Sequence, residues 1–310
     1  MKVFITGISG FVGAGLARSF LADGVEVHGL VRPSSNLWRL EDIKDSLHLH
    51  VGDLLDEPSI RKALTTARPD VLFHLAAYGV QPMQKDTEML FRSTLFSTMK
   101  LLDCAKDVGV GMCINTGSSS EYGTKDHPMR EDEILEPNTP YAMAKALQTL
   151  YCQWFAKEEI LPVITLRLFS VYGPYEEATR FVSTLVTKAL KHEDIPLANP
   201  TNARDFVYID DVIDAYRAAA TKPQLSGQIF NVGSGVQSTL QEAFDLATHL
   251  SKSTSKPLFG EYKNRTFDTT TWVADMSKTH TQLGIFPKFS LEDGLQATID
   301  WMRKSHVHGK

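Results

Sequence analysis

Residues 2–13, Lys2-Val-Phe-Ile-Thr-Gly7-Ile-Ser-Gly10-Phe-Val-Gly13, decide how the rest of the chain is read. "KVFITG" is a short β-rich run ending in glycine. Phe11 to Asp23 after it lacks proline and stops at Gly24, as a helix does. The order is strand, turn, helix, with glycines three apart in the turn. Gly7 suits the tight turn, Gly10 lets a pyrophosphate approach backbone N–H groups at the helix start, and Gly13 allows close helix–sheet packing. The stretch therefore reads as a dinucleotide-binding loop, with Phe11 and Val12 opening the helix that meets the phosphates.

Downstream the same alternation continues. "VEVHGLV" (25–31), "LHLHV" (47–51), "DVLFHLAA" (70–77) and "GMCINTGSSS" (111–120) read as strands, and helices are expected over 57–67, 86–108 and 140–159. "LPVITLRLFSVYG" (161–173) adds one more strand with its exit loop. Strands alternating with helices imply an α/β fold, a Rossmann-type doubly wound parallel sheet. After Pro174 the pattern weakens, and "RDFVYIDDVIDAYRAA" reads as a strand followed by an Asp-capped helix. The expected partition is a dinucleotide-binding domain of residues 1–172 and 204–236, and a smaller α/β substrate region of 173–203 and 237–310.

Composition narrows the function. Of 310 residues 43% are hydrophobic and 22% charged, enough to build a large core. The longest nearly apolar stretch, at 71–80, is far short of the ~20 residues that span a bilayer. No signal-peptide core follows Met1, so a cytoplasmic location is expected. Cys104, Cys113 and Cys152 stand apart with no histidine at ligand spacing, so reduced core thiols and no metal site are expected. A net charge of −5 with scattered basic residues argues against nucleic acid as a partner.

The second expected strand ends on Val31 and Arg32. An acid there would accept bonds from the ribose 2′-hydroxyl of NAD, whereas an arginine suits the 2′-phosphate of NADP. Arg32 with Ser34, Ser35 and Asn36 offers a guanidinium fork and hydroxyl donors, pointing to NADP(H), with NAD as the alternative. An exposed arginine in a polar loop is the plain reading. Asp53, past the third strand, is either an adenine contact or a turn former.

Tyr141 and Lys145 are four apart at the start of a helix and project from one face, where an ammonium lowers the tyrosine pKa towards use as a general acid or base. Gly7-xx-Gly10-xx-Gly13, "HLAA" at 74–77, Ser118 four residues before Tyr122-Gly123, Tyr141-xxx-Lys145, Arg167 to Pro174 and "RDFVYIDD" then follow in order across almost the whole chain. In this the chain resembles the extended short-chain dehydrogenases/reductases of the nucleotide-sugar epimerase, dehydratase and reductase group. The resemblance implies a Ser118–Tyr141–Lys145 triad. It also implies coenzyme contacts at Leu54, Leu75, Ala76 and Ala77 besides the glycines, and substrate contacts at Ser119, Ser120 and Ser170, where the family often has Asn. Arg204 and Arg265 would clamp the diphosphate; a salt bridge to Asp205 is the plain reading of Arg204. A homodimer through the helices near 86–108 and 140–158 is implied too.

The residues before Tyr122 choose the reaction. Dehydratases of this group carry Glu where this chain has Ser120, and Glu121 is expected to face away on an extended segment. "HGLVRPSS" resembles the NADP-using GDP-mannose dehydratases and GDP-4-keto-6-deoxymannose reductases, and "GSSSEYG" is close to those reductases, so the leading expectation is NADPH-dependent reduction of a nucleotide-diphosphate 4-keto-6-deoxyhexose. An NAD-dependent 4-epimerase is the runner-up, and a non-catalytic NADP sensor the alternative of another class. His48 and His50 read as a surface pair, and His306 and His308 as part of a C-terminal tail.

Overall fold

The computed structural model describes residues 1–78, 86–158, 161–260 and 269–307. Along the chain run β1 (Lys2–Thr6), α1 (Phe11–Ala22), β2 (Glu26–Val31), β3 (His48–Val51), α2 (Glu57–Ala67), β4 (Val71–His74), α3 (Thr87–Phe91), α4 (Ser97–Val108) and β5 (Met112–Ser118). They are followed by α5 (Pro140–Lys157), β6 (Val163–Leu168), β7 (Ser170–Tyr172), α6 (Phe181–Leu190), β8 (Ile195–Leu197), β9 (Ala203–Tyr208) and α7 (Ile209–Ala219). The last elements are β10 (Ile229–Val232), β11 (Gln237–Thr239), α8 (Leu240–Ser251), β12 (Pro257–Phe259) and α9 (Leu291–Val307).

Local chemistry explains the boundaries. The Asp56 carboxylate caps α2 by accepting from Ser59 N–H, and the helix stops at Arg68 in a left-handed conformation, φ 44°. Thr139 caps α5 with Pro140 in its first turn. A wide turn at Arg92–Phe96 joins α3 to α4, so the expected helical region 86–108 is one rod with a bulge in it.

The chain divides into two compact units. The first comprises residues 1–123, 134–167 and 213–230. Its sheet has the order β10-β6-β5-β4-β1-β2-β3, and β1 pairs in parallel with both β2 and β4 at its centre. Order reverses between β1 and β4, which in such sheets opens a crevice at the carboxyl ends. Phe4, Leu30, Leu64, Leu72, Leu101, Cys113, Cys152 and Phe155 are fully or nearly fully buried in one cluster beneath the helices.

The second unit comprises 124–133, 168–212 and 231–310. It contains a three-stranded sheet, β11-β9-β7, and the parallel pair β12 and β8. Two expectations are corrected here. The run 161–173 is two strands, because the chain bends at Phe169, whose N–H bonds Val232 O, and β6 and β7 enter different sheets. Residues 124–133, 168–172, 204–212 and 231–236, expected in the dinucleotide-binding domain, lie in the second unit, where β9 pairs with β7 and β11. The carboxylate of Asp211, in the first turn of α7, accepts from Lys288 and Phe289 N–H. Among the described residues no helix is long and apolar enough to cross a membrane.

Candidate active site

The glycine turn is a cradle that a side chain would fill. Gly7 has φ +72°, and a Cβ there would lie 2.7 Å from Ala76 N. At Gly13 a Cβ would lie 2.2 Å from Gly7 O, and at Gly10 3.0 Å from the same oxygen. Gly10 caps α1 without a side chain and α1 has no acidic residue in its first turn, so the N–H groups of Phe11 and Val12 meet no competing anion of their own helix. These features fit a dinucleotide pyrophosphate.

At the carboxyl end of β5, Ser118 caps a single tight turn, Ser119–Tyr122. Its Oγ accepts from Ser120 N–H at 3.2 Å and shares a hydrogen bond with Ser120 Oγ at 2.8 Å. Glu121 closes the box from the other side, where Oε1 accepts from Ser118 N–H at 2.7 Å and Oε2 accepts from Arg167 Nε at 2.8 Å. The expectation that Glu121 faces away on an extended segment is thereby corrected. The turn carries the side chain back into the interior, where it is 0% exposed. Arg167 in turn covers the Tyr122 ring, 4.6 Å from its centroid.

Tyr141 and Lys145 lie one turn apart on α5, which packs on β5 and on the Ser119–Tyr122 turn. Tyr141 is half-buried, whereas Lys145 is buried, donating to Thr116 O at 2.9 Å and Gln148 Oε1 at 3.0 Å. Burial lowers the Lys145 pKa to about 8, against the charge of Glu121. Behind it a polar chain runs through the core. Gln148 Nε2 donates to Thr98 Oγ1 at 2.7 Å, and Thr98 donates to Thr94 O at 2.6 Å. Thr98 must then accept from His74 Nε2 at 2.8 Å, which leaves His74 Nδ1 to accept from Thr6 Oγ1 at 2.7 Å. Burial, aided by Lys145, drives the His74 pKa down to about 3, so the ring is neutral. Thr6 Oγ1 finally accepts from Ala76 N–H at 3.4 Å, beside Gly7. One hydrogen-bonded line thus links Lys145 to the wall of the glycine cradle.

Sequence reasoning missed His74, Thr98 and Thr6. The available signal was a histidine inside the apolar run 71–77, a position that needs polar partners.

The remaining predicted residues fall as follows. Arg32 is exposed just past β2, in a turn where its N–H donates to Ser35 Oγ at 2.9 Å. Asp53 Oδ1 accepts from Leu55 N–H at 2.8 Å, the turn-forming contact. Leu54 packs against the core, Leu75 and Ala76 are half-buried beyond β4, and Ala77 is exposed. Ser119 is buried and Ser120 half-buried. In the second unit Ser170 pairs with Phe206 across β7 and β9, two residues from Arg204 on the same strand. Arg204 lies over the Trp272 ring at 5.5 Å from its centroid, while Asp205 accepts from Ser234, Gly235 and Ala274 N–H. Arg265 and His308 lie outside the described residues.

Known proteins resemble the chain over nearly its whole length. The chain is 29% identical to the UDP-glucose 4-epimerase of Mycolicibacterium smegmatis across 98% of itself and 99% of that protein. The structure of UDP-glucose 4-epimerase from Thermotoga maritima with UDP-glucose superposes with a TM-score of 0.91 at 27% identity, covering 99% of this chain and 100% of that one. The UDP-glucuronic acid 4-epimerase of Bacillus cereus, in complex with UDP-glucuronic acid and NAD, gives 0.88 at 28% identity, covering 98% and 100%. The model of the NAD dependent epimerase/dehydratase family matches residues 3–233. Cradle, turn, Tyr-Lys helix and full-length likeness agree, and the chain belongs to the NAD-dependent epimerase/dehydratase family.

Proposed function

We propose that this protein is a nucleotide-diphosphate sugar 4-epimerase that acts in the cytoplasm with a resident nicotinamide dinucleotide. The observation that carries the reading is the buried Lys145, fixed by Thr116 and Gln148 one helical turn from Tyr141. The dinucleotide, when bound at Gly7, Gly10 and Gly13, supplies reversible hydride transfer at the sugar C4. Tyr141 takes the 4-hydroxyl proton and returns it to the same oxygen, whichever face of C4 is reduced. The Lys145 charge favours the phenolate, and the Ser118 hydroxyl bonds the same oxygen. Ser119, Ser120 and Ser170 touch the sugar, and Arg204 and Arg265 hold the diphosphate.

Water loss needs a further acid, and the obvious candidate is engaged, since both Glu121 oxygens are held by Ser118 N–H and Arg167. That disfavours a dehydratase. Full-length likeness to 4-epimerases favours epimerisation over net reduction, and the coenzyme in the similar Bacillus cereus structure is NAD. The exposed Arg32 beside Ser35 supports the second reading, an NADPH-dependent reductase of a nucleotide-linked 4-keto-6-deoxyhexose.

A homodimer belongs to this proposal. Met143, Leu147, Leu150 and Trp154 form an exposed apolar stripe along α5, with Trp154 52% exposed. To test the activity, the purified protein is incubated with UDP-glucose, UDP-galactose and UDP-glucuronate and products are read by proton NMR. Appearance of a C4 epimer without net coenzyme consumption supports the epimerase. Turnover only with 4-keto-sugars and stoichiometric NADPH oxidation replaces it with the reductase.

A further inference from the structure

The His48 and His50 pair gains a third histidine that the sequence does not place beside it. β3 is the edge strand of the first unit's sheet and pairs in parallel with β2, with His48 opposite His28 and His50 opposite Leu30. Alternate residues share a face, so Glu26 and His28 on β2 meet His48 and His50 on β3. The patch sits at the amino ends of these strands, at the other end of the sheet from Gly7 and Ser118.

Its geometry is specific. The His28 ring stacks on His48 with centroids 4.7 Å apart and on His50 at 5.3 Å, each at 22°. His28 Nε2 lies 2.8 Å from Glu26 Oε1, and His28 Nδ1 lies 2.9 Å from His50 Nε2. One donor atom from each of Glu26, His28 and His48 lies within 4.8 Å of the others. In a tetrahedral shell with bonds near 2.0–2.1 Å, donor atoms stand roughly 3.3 Å apart. His48 is exposed and Glu26 partly exposed, so these are the two side chains that turn towards that spacing when an ion binds.

We propose that Glu26, His28 and His48 form a site for one borderline divalent transition metal, of the Zn²⁺, Co²⁺ and Ni²⁺ class. Two imidazoles and a carboxylate are the donor set such ions take, with water completing the shell. The metal takes the Nε2 lone pair of the His28 tautomer that carries its single proton on Nδ1, reached by proton exchange with solvent and with no net proton loss, while His50 keeps its own proton on Nδ1. Nδ1–H then donates to the lone pair of His50 Nε2. His50 therefore orients the ligand rather than binding the metal itself, the arrangement that metal-bound histidines generally have. Burial and the neighbouring histidines lower the His50 pKa, and burial outweighs Glu26 in lowering that of His28. Lys2 Nζ competes for Glu26 Oε1 at 3.1 Å, but this is an exposed pair of small worth that a metal ligand displaces. A bound ion would staple the edge strand β3 to β2.

Equilibrium dialysis of the EDTA-treated full-length protein against Co²⁺ and Zn²⁺, with the visible bands of Co²⁺ as reporter, tests the site. One ion per chain is expected. His48→Gln and Glu26→Gln abolish it, His50→Phe weakens it roughly 10- to 100-fold, and the double variant His306→Gln with His308→Gln leaves it intact. A metal-dependent rise in Tm appears in the wild type and not in His48→Gln, whose exposed side chain is not needed for folding. The proposal is overturned by any of three results: no stoichiometric Co²⁺, equal binding in wild type and His48→Gln, or loss only in the tail variant.

Discussion

Two polar regions of the first unit are built in opposite ways. The line from Lys145 through Gln148, Thr98, His74 and Thr6 is buried, and each of its side chains has a partner. The turn carrying Arg32 and Ser35 stands at the surface, held by its own backbone and one hydroxyl. Burial raises the value of each contact and the cost of breaking it, whereas solvent screens charge at the surface. The core line is therefore suited to fixing the chemistry. The exposed turn can change without disturbing the fold.

The severest break of this contrast is Tyr141→Phe. Removing the proton carrier should lower kcat about 10²- to 10⁴-fold while dinucleotide binding, followed by fluorescence, stays close to wild type. Next comes Gly13→Val. A side chain is expected to force the main chain apart at Gly7 O and cost about 1–3 kcal/mol, read as a lower Tm with weaker dinucleotide binding. Gln148→Leu removes one acceptor from the buried Lys145 ammonium and one donor to Thr98, a loss of roughly 1–3 kcal/mol in urea unfolding. It should also alter the pH profile of kcat, because Lys145 loses an acceptor.

A gentler probe uses acid. His74 has its pKa lowered from 6.5 to about 3, so the unfolded chain binds the extra proton first. The stability this group contributes is present above pH 6.5 and is lost as pH falls towards about 3. In His74→Gln the unfolding midpoint should vary less with pH over that window. An equally steep profile in the variant would place the acid sensitivity elsewhere. The smallest effect belongs to the exposed turn. With NAD as the working coenzyme, Arg32→Ala should leave NAD affinity nearly unchanged. A collapse of NADPH affinity in the same variant, together with tighter NADPH than NADH binding in the wild type, favours the reductase.

The same contrast marks what the sequence made legible. Glycines at 7, 10 and 13 and the Tyr141–Lys145 spacing are local patterns with local consequences, so the first strand–turn–helix and the helix carrying Tyr141 and Lys145 follow from them. His74 and Glu121 act through partners 68 and 46 residues away, Thr6 and Arg167, which no local pattern reveals. The turn at 119–122 reverses the direction of Glu121 because Ser118 caps it, a choice that depends on Arg167 waiting in the core. His28 meets His48 only once β2 and β3 pair. The break of 161–173 into two strands likewise depends on which sheets receive its halves.

The most direct test of the central claim follows a deuterium label at C4 of the nucleotide sugar. If Tyr141 moves the proton while hydride leaves and returns at C4, the label is retained at C4 in both epimers at equilibrium. Tyr141→Phe should slow the interconversion without washing the label out. Loss of the label to solvent, or its stoichiometric appearance on free coenzyme with no second epimer, would contradict the account.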